Sequence, residues 1–434
     1  MLSGANDSAL RRNFSFEAVG ALGTGLFNAL VVNFLPVIAR REGADPLLLA
    51  VLSAAPFAAN SLGIFTGFWM PSEIRRLRYV SVLIAGGRVL FLGALITTVP
   101  LALVAMAFGM YLTLAVASPM QVDIWRGTYP QRLLGRVLGY LRVLQTGASA
   151  VAAPLGGLLI QRFGDGPMLG LGASLGVVGA IVYSRVRSAP VNASLRFTPA
   201  ASLHVLVEQP MYLRLVAAWV VWGFGSMMAT PLYALVLVDR FQASYAEIGL
   251  LQLAGAVSGL LAYFALGEYL DRKGGFGVTP LGMVLTAAVP GAYLLAPGLP
   301  VLAIGFILLG VGTSAIDLGW QLALMARVSD EYRLRYMAAH TSITGVRGFI
   351  APFVGTLILS LGYGLGPVLM ISALLGVIGA VMMARALGVN LGDRRQLRGL
   401  FREFVRVVPR RHVVRRRPRR SLRARVRALL GRAE

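Results

Sequence analysis

A short basic loop between two apolar segments decides the fold. Its residues read Gly267-Glu268-Tyr269-Leu270-Asp271-Arg272-Lys273-Gly274-Gly275. Apolar segments flank it over residues 248–266 and 278–296. The first glycine allows close approach of two helices at a membrane face, and Asp271 can meet the positive N-terminus of another helix. Arg272 and Lys273 favour the cytoplasmic side of a membrane. The stretch therefore predicts a cytoplasmic connection between two membrane helices.

The whole chain has the composition of a membrane protein. Of its 434 residues, 57% are hydrophobic and 14% are charged, whereas soluble domains carry roughly a quarter charged residues. Apolar runs of about 20 residues, long enough to cross the bilayer as helix, recur along it. The absence of cysteine excludes disulfides and thiol chemistry, and no phosphate-binding, metal-binding or serine-hydrolase motif is found. We expect an all-α membrane protein that is not an enzyme and needs no cofactor or metal.

Twelve spans are predicted, and the two halves of the chain repeat. The spans cover about residues 16–39, 46–69, 79–98, 101–124, 136–161, 167–184, 211–238, 246–268, 278–296, 300–325, 337–361 and 364–386. A shift of 198 residues places Gly147 on Gly345 and Pro154 on Pro352. Two six-helix halves of this kind are typical of transporters. The predicted organisation is a first half over 1–185, a linker over 186–210, a second half over 211–388 and a basic tail over 389–434.

The loop pattern Gly-x-x-x-Asp-Arg-x-Gly-Gly resembles the signature loop of the major facilitator superfamily. The resemblance covers residues 14–388 and implies the fold of that family, transport of a small molecule and a monomeric state. It also implies a gating role for Gly267, Asp271, Arg272 and Gly274, with Asp271 capping the start of the fifth span when the cytoplasmic side is closed. The first half departs from the pattern, because Pro71 stands where the family has aspartate.

The basic residues predict the orientation. If the N-terminus is cytoplasmic, sixteen basic loop residues lie on the cytoplasmic side and four on the other. Positive charge accumulates on the cytoplasmic side of membrane proteins. We therefore expect both termini in the cytoplasm of a bacterium, with the chain in the inner membrane.

Polar residues form matching stripes in the fifth and eleventh spans. They are Arg142, Gln145, Thr146 and Ser149 in the fifth span, and His340, Thr344 and Arg347 in the eleventh. The 198-residue shift places Arg142 on His340 and Thr146 on Thr344. Polar groups inside spans are costly and are candidates for function. The stripes predict two walls of one central cavity; the alternative is hydrogen bonding that only holds the bundle together.

Further candidates for the cavity come from five other spans. They are Asn28, Asp123, Trp222, Gln252, Asp317, Trp320 and Gln321. Depth along the spans suggests that Asp317 pairs with Arg347 and that Asp123 pairs with Arg142. A buried carboxylate keeps a cation or takes a proton, so Asp317 is either a coupling site or part of a fixed salt bridge. Arg88, midway along the third span, is expected to have a structural hydrogen-bonding role.

The tail after residue 390 is strongly basic. Residues 391–434 hold sixteen arginines and three acids, which contribute +13 of the chain's net charge of +23. Apolar residues between 397 and 408 recur at helical spacing, with arginines between them. This pattern predicts a basic amphipathic helix on the anionic lipids of the inner leaflet. Nucleic-acid binding is the weaker alternative, and we expect no nucleic-acid partner.

These observations favour a secondary transporter that exports a small organic solute by alternating access with proton coupling. One alternative is a proton-coupled or facilitated symporter for an anionic metabolite, because Arg142 and Arg347 lie inside spans. Another is a membrane scaffold or sensor that has the same fold and does not transport.

Overall fold

The computed structural model describes residues 5–62, 76–188, 210–273, 277–325 and 333–389. The backbone of this part folds into twelve long helical segments, numbered α1 to α12 in chain order. Four of them continue through a short turn of different helical type, α1, α7 and α11 through a π-helix and α3 through a 3-10 helix. The segments are α1 (Ala5–Phe27, Asn28–Val32, Leu35–Arg41), α2 (Pro46–Leu62), α3 (Arg76–Val89, Leu90–Leu95), α4 (Pro100–Thr128), α5 (Gln131–Phe163), α6 (Asp165–Tyr183), α7 (Pro210–Leu235, Val236–Arg240), α8 (Tyr245–Lys273), α9 (Val278–Leu295), α10 (Leu299–Met325), α11 (Arg333–Ile358, Leu359–Tyr363) and α12 (Leu365–Leu387).

The predicted all-helical class and the twelve spans are confirmed. Eleven helices in the described ranges are long and apolar enough to cross a membrane, and α2 is apolar over the shorter stretch Pro46–Ser61. Most helices run a few residues past the predicted bounds, because the polar ends of a span can continue as helix beyond the apolar stretch. A capping box opens α8: the Ser244 backbone N–H donates to the Glu247 carboxylate over 2.7 Å.

The two halves of the bundle are held together at one end by charged and aromatic contacts. Arg40 at the end of α1 forms an ion pair of 2.9 Å with Asp239 at the end of α7. Arg41 donates a hydrogen bond to the Ala243 carbonyl and lies 3.9 Å from the Tyr245 ring centroid. We call this end the Arg40 end, and the opposite end, where α4 meets α5, the Tyr129 end.

Glycines bring α5 and α8 into direct backbone contact at the Arg40 end. A Cβ added to Gly249 of α8 would lie 2.6 Å from the Ala153 carbonyl oxygen of α5. A Cβ on Gly157 of α5 would overlap the Tyr245 carbonyl of α8. Glycine permits this close approach of the two backbones, and a side chain at either position would push the two halves apart.

The apolar core is shared by both halves at the Arg40 end and divided at the Tyr129 end. One core cluster joins buried residues of both halves, among them Phe34, Leu49, Leu232 and Ile248. Nearer the Tyr129 end each half has a separate core: one includes Val80, Met120 and Ile124, and the other Leu215, Met283 and Met383. Within the described residues, the apolar core that spans both halves therefore lies toward the Arg40 end.

Candidate functional site

A cavity of about 520 Å³ lies in the first half, between α1, α3, α4, α5 and α6. Its polar lining comprises Glu17, Thr24, Asn28, Asn33, Arg88, Thr113, Gln121, Arg142 and Gln145. Its aromatic lining comprises Phe27, Tyr111, Trp125 and Tyr183. A few polar groups in a largely apolar and aromatic pocket are typical of sites for small organic molecules.

Arg142 of α5 and Asp317 of α10 bridge the two halves beside this cavity. The Arg142 guanidinium lies 3.8 Å from the Asp317 carboxylate, and the two side chains are 58% and 53% exposed. The Tyr263 hydroxyl of α8 donates a hydrogen bond of 2.7 Å to the same carboxylate. The predicted Asp317–Arg347 pair is therefore wrong as a structural pairing: Asp317 pairs with an arginine of the other half.

Arg347 lies in the core of the second half instead. It is 5% exposed and donates a hydrogen bond to the Trp219 carbonyl. Its guanidinium carbon lies 5.3 Å from the ring centroid of Trp219 and 5.7 Å from that of Trp222. The two aromatic rings and the Trp219 carbonyl are therefore the partners of the Arg347 guanidinium. They take the place of Asp317, the partner predicted from its similar depth in the membrane.

A cluster of four buried rings lies beside Arg347. The Trp219 ring centroid lies 5.1 Å from Trp222, 4.6 Å from Trp320 and 5.0 Å from His340, and Trp320 stacks on His340 at 4.7 Å. All four side chains are buried. The prediction that a central cavity is lined by Trp222, Trp320, His340 and Arg347 is not met here. The three rings pack against Trp219 or one another, and the Arg347 guanidinium lies against the Trp219 and Trp222 rings, so these side chains occupy the space themselves.

Gly223 makes room for the buried guanidinium. A Cβ at this position would overlap the guanidinium of Arg347. We expect Gly223→Ala to displace Arg347 and lower the free energy of unfolding by about 3 kcal/mol, because overpacking and a lost buried hydrogen bond both destabilise. Thermal unfolding of the purified protein measures this. Gly291→Ala is the matched control, since its Cβ would meet nothing within 4 Å; equal unfolding midpoints for the two variants would contradict the assignment.

The internal repeat relates the first-half cavity to the second-half aromatic cluster. Arg88 donates a hydrogen bond of 2.7 Å to the Thr24 hydroxyl in the first half. The positions 198 residues later are Thr286 and Trp222, and the Trp222 indole donates a 3.0 Å hydrogen bond to Thr286. The same pair of helix positions is therefore in contact in both halves. Small or polar residues leave a cavity in the first half, and indole rings fill the corresponding space in the second.

Arg88 has the structural contacts predicted for it, and it also lines the cavity. Besides the bond to Thr24, it donates a hydrogen bond of 2.6 Å to the Gly176 carbonyl. Its guanidinium lies 5.3 Å from the Phe27 ring centroid. These contacts hold the guanidinium in place between α1, α3 and α6.

The remaining predicted site residues lie in different surroundings. Asn28 and Gln145 line the cavity, Thr146 is half-buried on α5, and Thr344 accepts a hydrogen bond of 3.2 Å from the Trp219 indole. Gln252 donates to the Asn33 carbonyl across the halves. Asp123, Gln321, Gly267, Asp271 and Arg272 lie in helices, but their side chains are outside the described part of the chain, as is Gly274 altogether.

Glu17 is a site residue that the sequence analysis did not single out. It lines the cavity and is 3% exposed. The Tyr129 hydroxyl donates a hydrogen bond of 2.6 Å to its Oε2. The signal was available: Glu17 lies on the helical stripe of Gly20, Thr24 and Asn28, and a carboxylate inside a span is a functional candidate.

Comparisons with solved structures place the fold among transporters. The nucleoside transporter NupG, in an alanine-mutant form, is 14% identical with a TM-score of 0.70, covering 86% of this chain and 99% of that one. The human organic anion transporter MFSD10 (TETRAN) is 14% identical with a TM-score of 0.59, covering 86% and 99%. A bacterial homolog of the human lysosomal transporter Spinster, inward-facing and occupied, is 15% identical with a TM-score of 0.62, covering 91% and 99%. At this identity the likeness concerns the fold.

Sequence comparison identifies the family. No curated protein sequence matches the chain. A sequence model described as Major Facilitator Superfamily matches residues 18–275 and 215–431. Together the two matches span nearly the whole chain, in agreement with the twelve helices and the repeated halves. The chain belongs to the major facilitator superfamily of secondary transporters.

Proposed function

We propose that this protein exports a small organic solute across a bacterial inner membrane by alternating access, driven by protons. In this proposal the first-half cavity is the solute site, and the structure is the conformation that opens toward the cytoplasm. The Tyr129 end is then the cytoplasmic end, as the excess of basic loop residues favours.

The division of the apolar core carries this proposal. The halves share one core at the Arg40 end and have separate cores near the Tyr129 end. A protein that only scaffolds would gain stability from packing at both ends, whereas a transporter must be able to exchange one closed end for the other. Among the described residues, a shared apolar core at one end and divided cores toward the other therefore support alternating access over the scaffold alternative.

The Arg142–Asp317 pair supports a role for protons. It joins the two halves at the depth of the cavity, and more than half of each side chain is exposed. A proton on Asp317 would remove its attraction for Arg142, since a neutral carboxyl no longer balances the guanidinium. Protonation would thus loosen a link between the halves. We place the coupling site at Asp317 with Arg142 and Tyr263 as its partners.

The anionic-metabolite symporter remains the second candidate, because two arginines line the cavity. Both guanidinium groups already have partners, however. Arg88 is bound to Gly176 and Thr24, and Arg142 to Asp317. An anionic solute would have to displace these contacts, so the geometry favours the first candidate.

Cysteine labelling tests alternating access and orientation together. The chain contains no cysteine, so each introduced thiol is unique. We expect Ser149→Cys, half-buried on α5 one turn beyond the cavity-lining Gln145, to react with an impermeant maleimide from the cytoplasmic side. We expect Ala243→Cys, fully buried at the Arg40 end, to react only from the outside and only when that end opens.

The control uses a ligand, identified by screening a panel of small organic solutes for those that raise the unfolding temperature of the purified protein. If alternating access holds, the ligand changes the two labelling rates in opposite directions. Equal labelling of both thiols from one side, or rates that no ligand changes, would contradict the proposal.

A further inference from the structure

The carboxylate of Glu17 has one oxygen bound and the other free within the solute cavity. Tyr129 holds Oε2 at 2.6 Å, which orients the group. Oε1 is buried and has no hydrogen-bond partner among the described residues. The Trp125 indole lies beside the carboxylate. A buried acceptor left unpaired is unfavourable, and the residue that carries this one lines the cavity.

Neither arginine of the cavity neutralises Glu17. Arg88 is bound to Thr24, which lies seven residues further along α1, about 10 Å by helical rise. Arg142 is bound to Asp317 on the other half. Glu17 is the only acidic side chain among the described lining residues, so it is the one group there that can balance the charge of a cationic solute.

The surroundings of Glu17 suit an organic cation. The rings of Trp125 and Tyr183 lie beside the carboxylate and line the same cavity. Aromatic faces together with a carboxylate attract ammonium groups. A metal ion would require several oxygen ligands, and the described lining offers one carboxylate.

The second half shows that a carboxylate is not needed at this place for packing. The position 198 residues after Glu17 is Leu215, which is fully buried in the second-half core. Trp219 and Trp222 fill the space beside it. A leucine therefore satisfies the same helix position where no cavity exists, and the acidic side chain occurs only in the half that has the cavity.

We propose that Glu17 binds the ammonium group of the transported solute, so that the substrate class is an amphipathic organic amine. The ammonium group donates to Oε1, and the apolar body lies along α1 toward Thr24 and Asn28. The guanidinium of Arg88 at the far end of that stretch favours a neutral or hydrogen-bond-accepting tail. This inference rests on the proposed function, since it names the substrate class of the same cavity.

Binding to the purified full-length protein tests the substrate class. Phenylethylamine, phenylbutylamine and phenylhexylamine are compared with their alcohol and carboxylic-acid analogues by isothermal titration calorimetry. We expect at least one amine to bind, and its matched alcohol and acid to bind at least about tenfold more weakly, since a charge-assisted hydrogen bond contributes about 1.5–3 kcal/mol. Failure of all three amines, or preferential binding of the acids, would overturn the proposal.

Variants locate the site. We expect Glu17→Gln to weaken amine binding at least about tenfold, because the amide keeps the shape and loses the charge. Glu17→Asp should bind the amine with an affinity between those of the parent protein and Glu17→Gln. Glu247→Gln is the matched control at the capping box of α8 and should bind as the parent does. Equal amine affinity in Glu17→Gln and the parent would overturn the assignment; if Glu17→Gln does not fold, Glu17→Asp and the ligand series still decide it.

The cysteine-labelling experiment keeps this inference separate from the proposed function. Labelling that responds to an acid and not to an amine would leave alternating access standing and remove the amine class. Labelling that responds to no ligand, with amines still bound at Glu17, would remove transport and keep the binding site.

Discussion

Asp317→Asn is expected to reduce proton-driven transport to the level of protein-free vesicles while leaving the protein folded. Asparagine can still accept the hydrogen bond from Tyr263, whose hydroxyl lies 2.7 Å from the carboxylate. It cannot take up or release a proton, and it cannot balance the charge of Arg142 at 3.8 Å. The measurement is solute movement in proteoliposomes under an imposed pH gradient, with a ligand from the thermal-shift panel.

Exchange without a pH gradient separates coupling from a fixed salt bridge. If Asp317 is the coupling group, solute exchange survives in Asp317→Asn although proton-driven transport is lost. If the pair only joins the halves, the exchanged pair Asp317→Arg with Arg142→Asp restores transport. Normal proton-driven transport in folded Asp317→Asn would eliminate Asp317 as the coupling residue.

Gly249→Leu is expected to prevent closure of the Arg40 end and to stop transport. Even a Cβ at this position would lie 2.6 Å from the Ala153 carbonyl and 2.8 Å from Pro154. A leucine there opposes closure by about 3 kcal/mol, which changes the ratio of closed to open molecules about a hundredfold. The Ala243→Cys reporter should then label rapidly from the outside.

Gly291→Leu is the matched control for this prediction. Gly291 lies within α9, and its Cβ would meet nothing within 4 Å. This variant should label and transport as the parent does. Slow labelling of Ala243→Cys in the Gly249→Leu background would show that the glycine contact does not determine closure.

The helices and their repeat could be predicted because they depend on local pattern. Apolar length determines a span, since each backbone polar group must be satisfied within its own helix. The 198-residue shift that placed Pro154 on Pro352 also relates the Arg88–Thr24 contact to the Thr286–Trp222 contact. The loop pattern that begins at Gly267 resembles the superfamily signature independently of any tertiary contact.

The sequence predicted which helices carry polar site residues, but it did not predict which of those side chains contact one another. Arg142, Gln145 and Asn28 line a cavity, but it lies within the first half, whereas the prediction was a central cavity walled by the fifth and eleventh spans. Arg347 and Asp317 have similar depths and still do not meet, because depth along a helix leaves its rotation and its neighbour undetermined. Glu17 was passed over because it lies close to the start of its span, where a charge is inexpensive if it faces water.

The amino-acid pattern thus determines that the chain crosses the membrane, how many times, and that its halves are related. These properties follow from hydrophobicity and length, which each segment carries independently of the others. Which half contains the cavity, which arginine meets Asp317 and which end is closed depend on side chains that come together from distant helices. Three tryptophans fill the core of one half, and in the other a buried carboxylate keeps one oxygen without a partner among the described residues. Side-chain volume and hydrogen bonding are decided only where helices pack against one another.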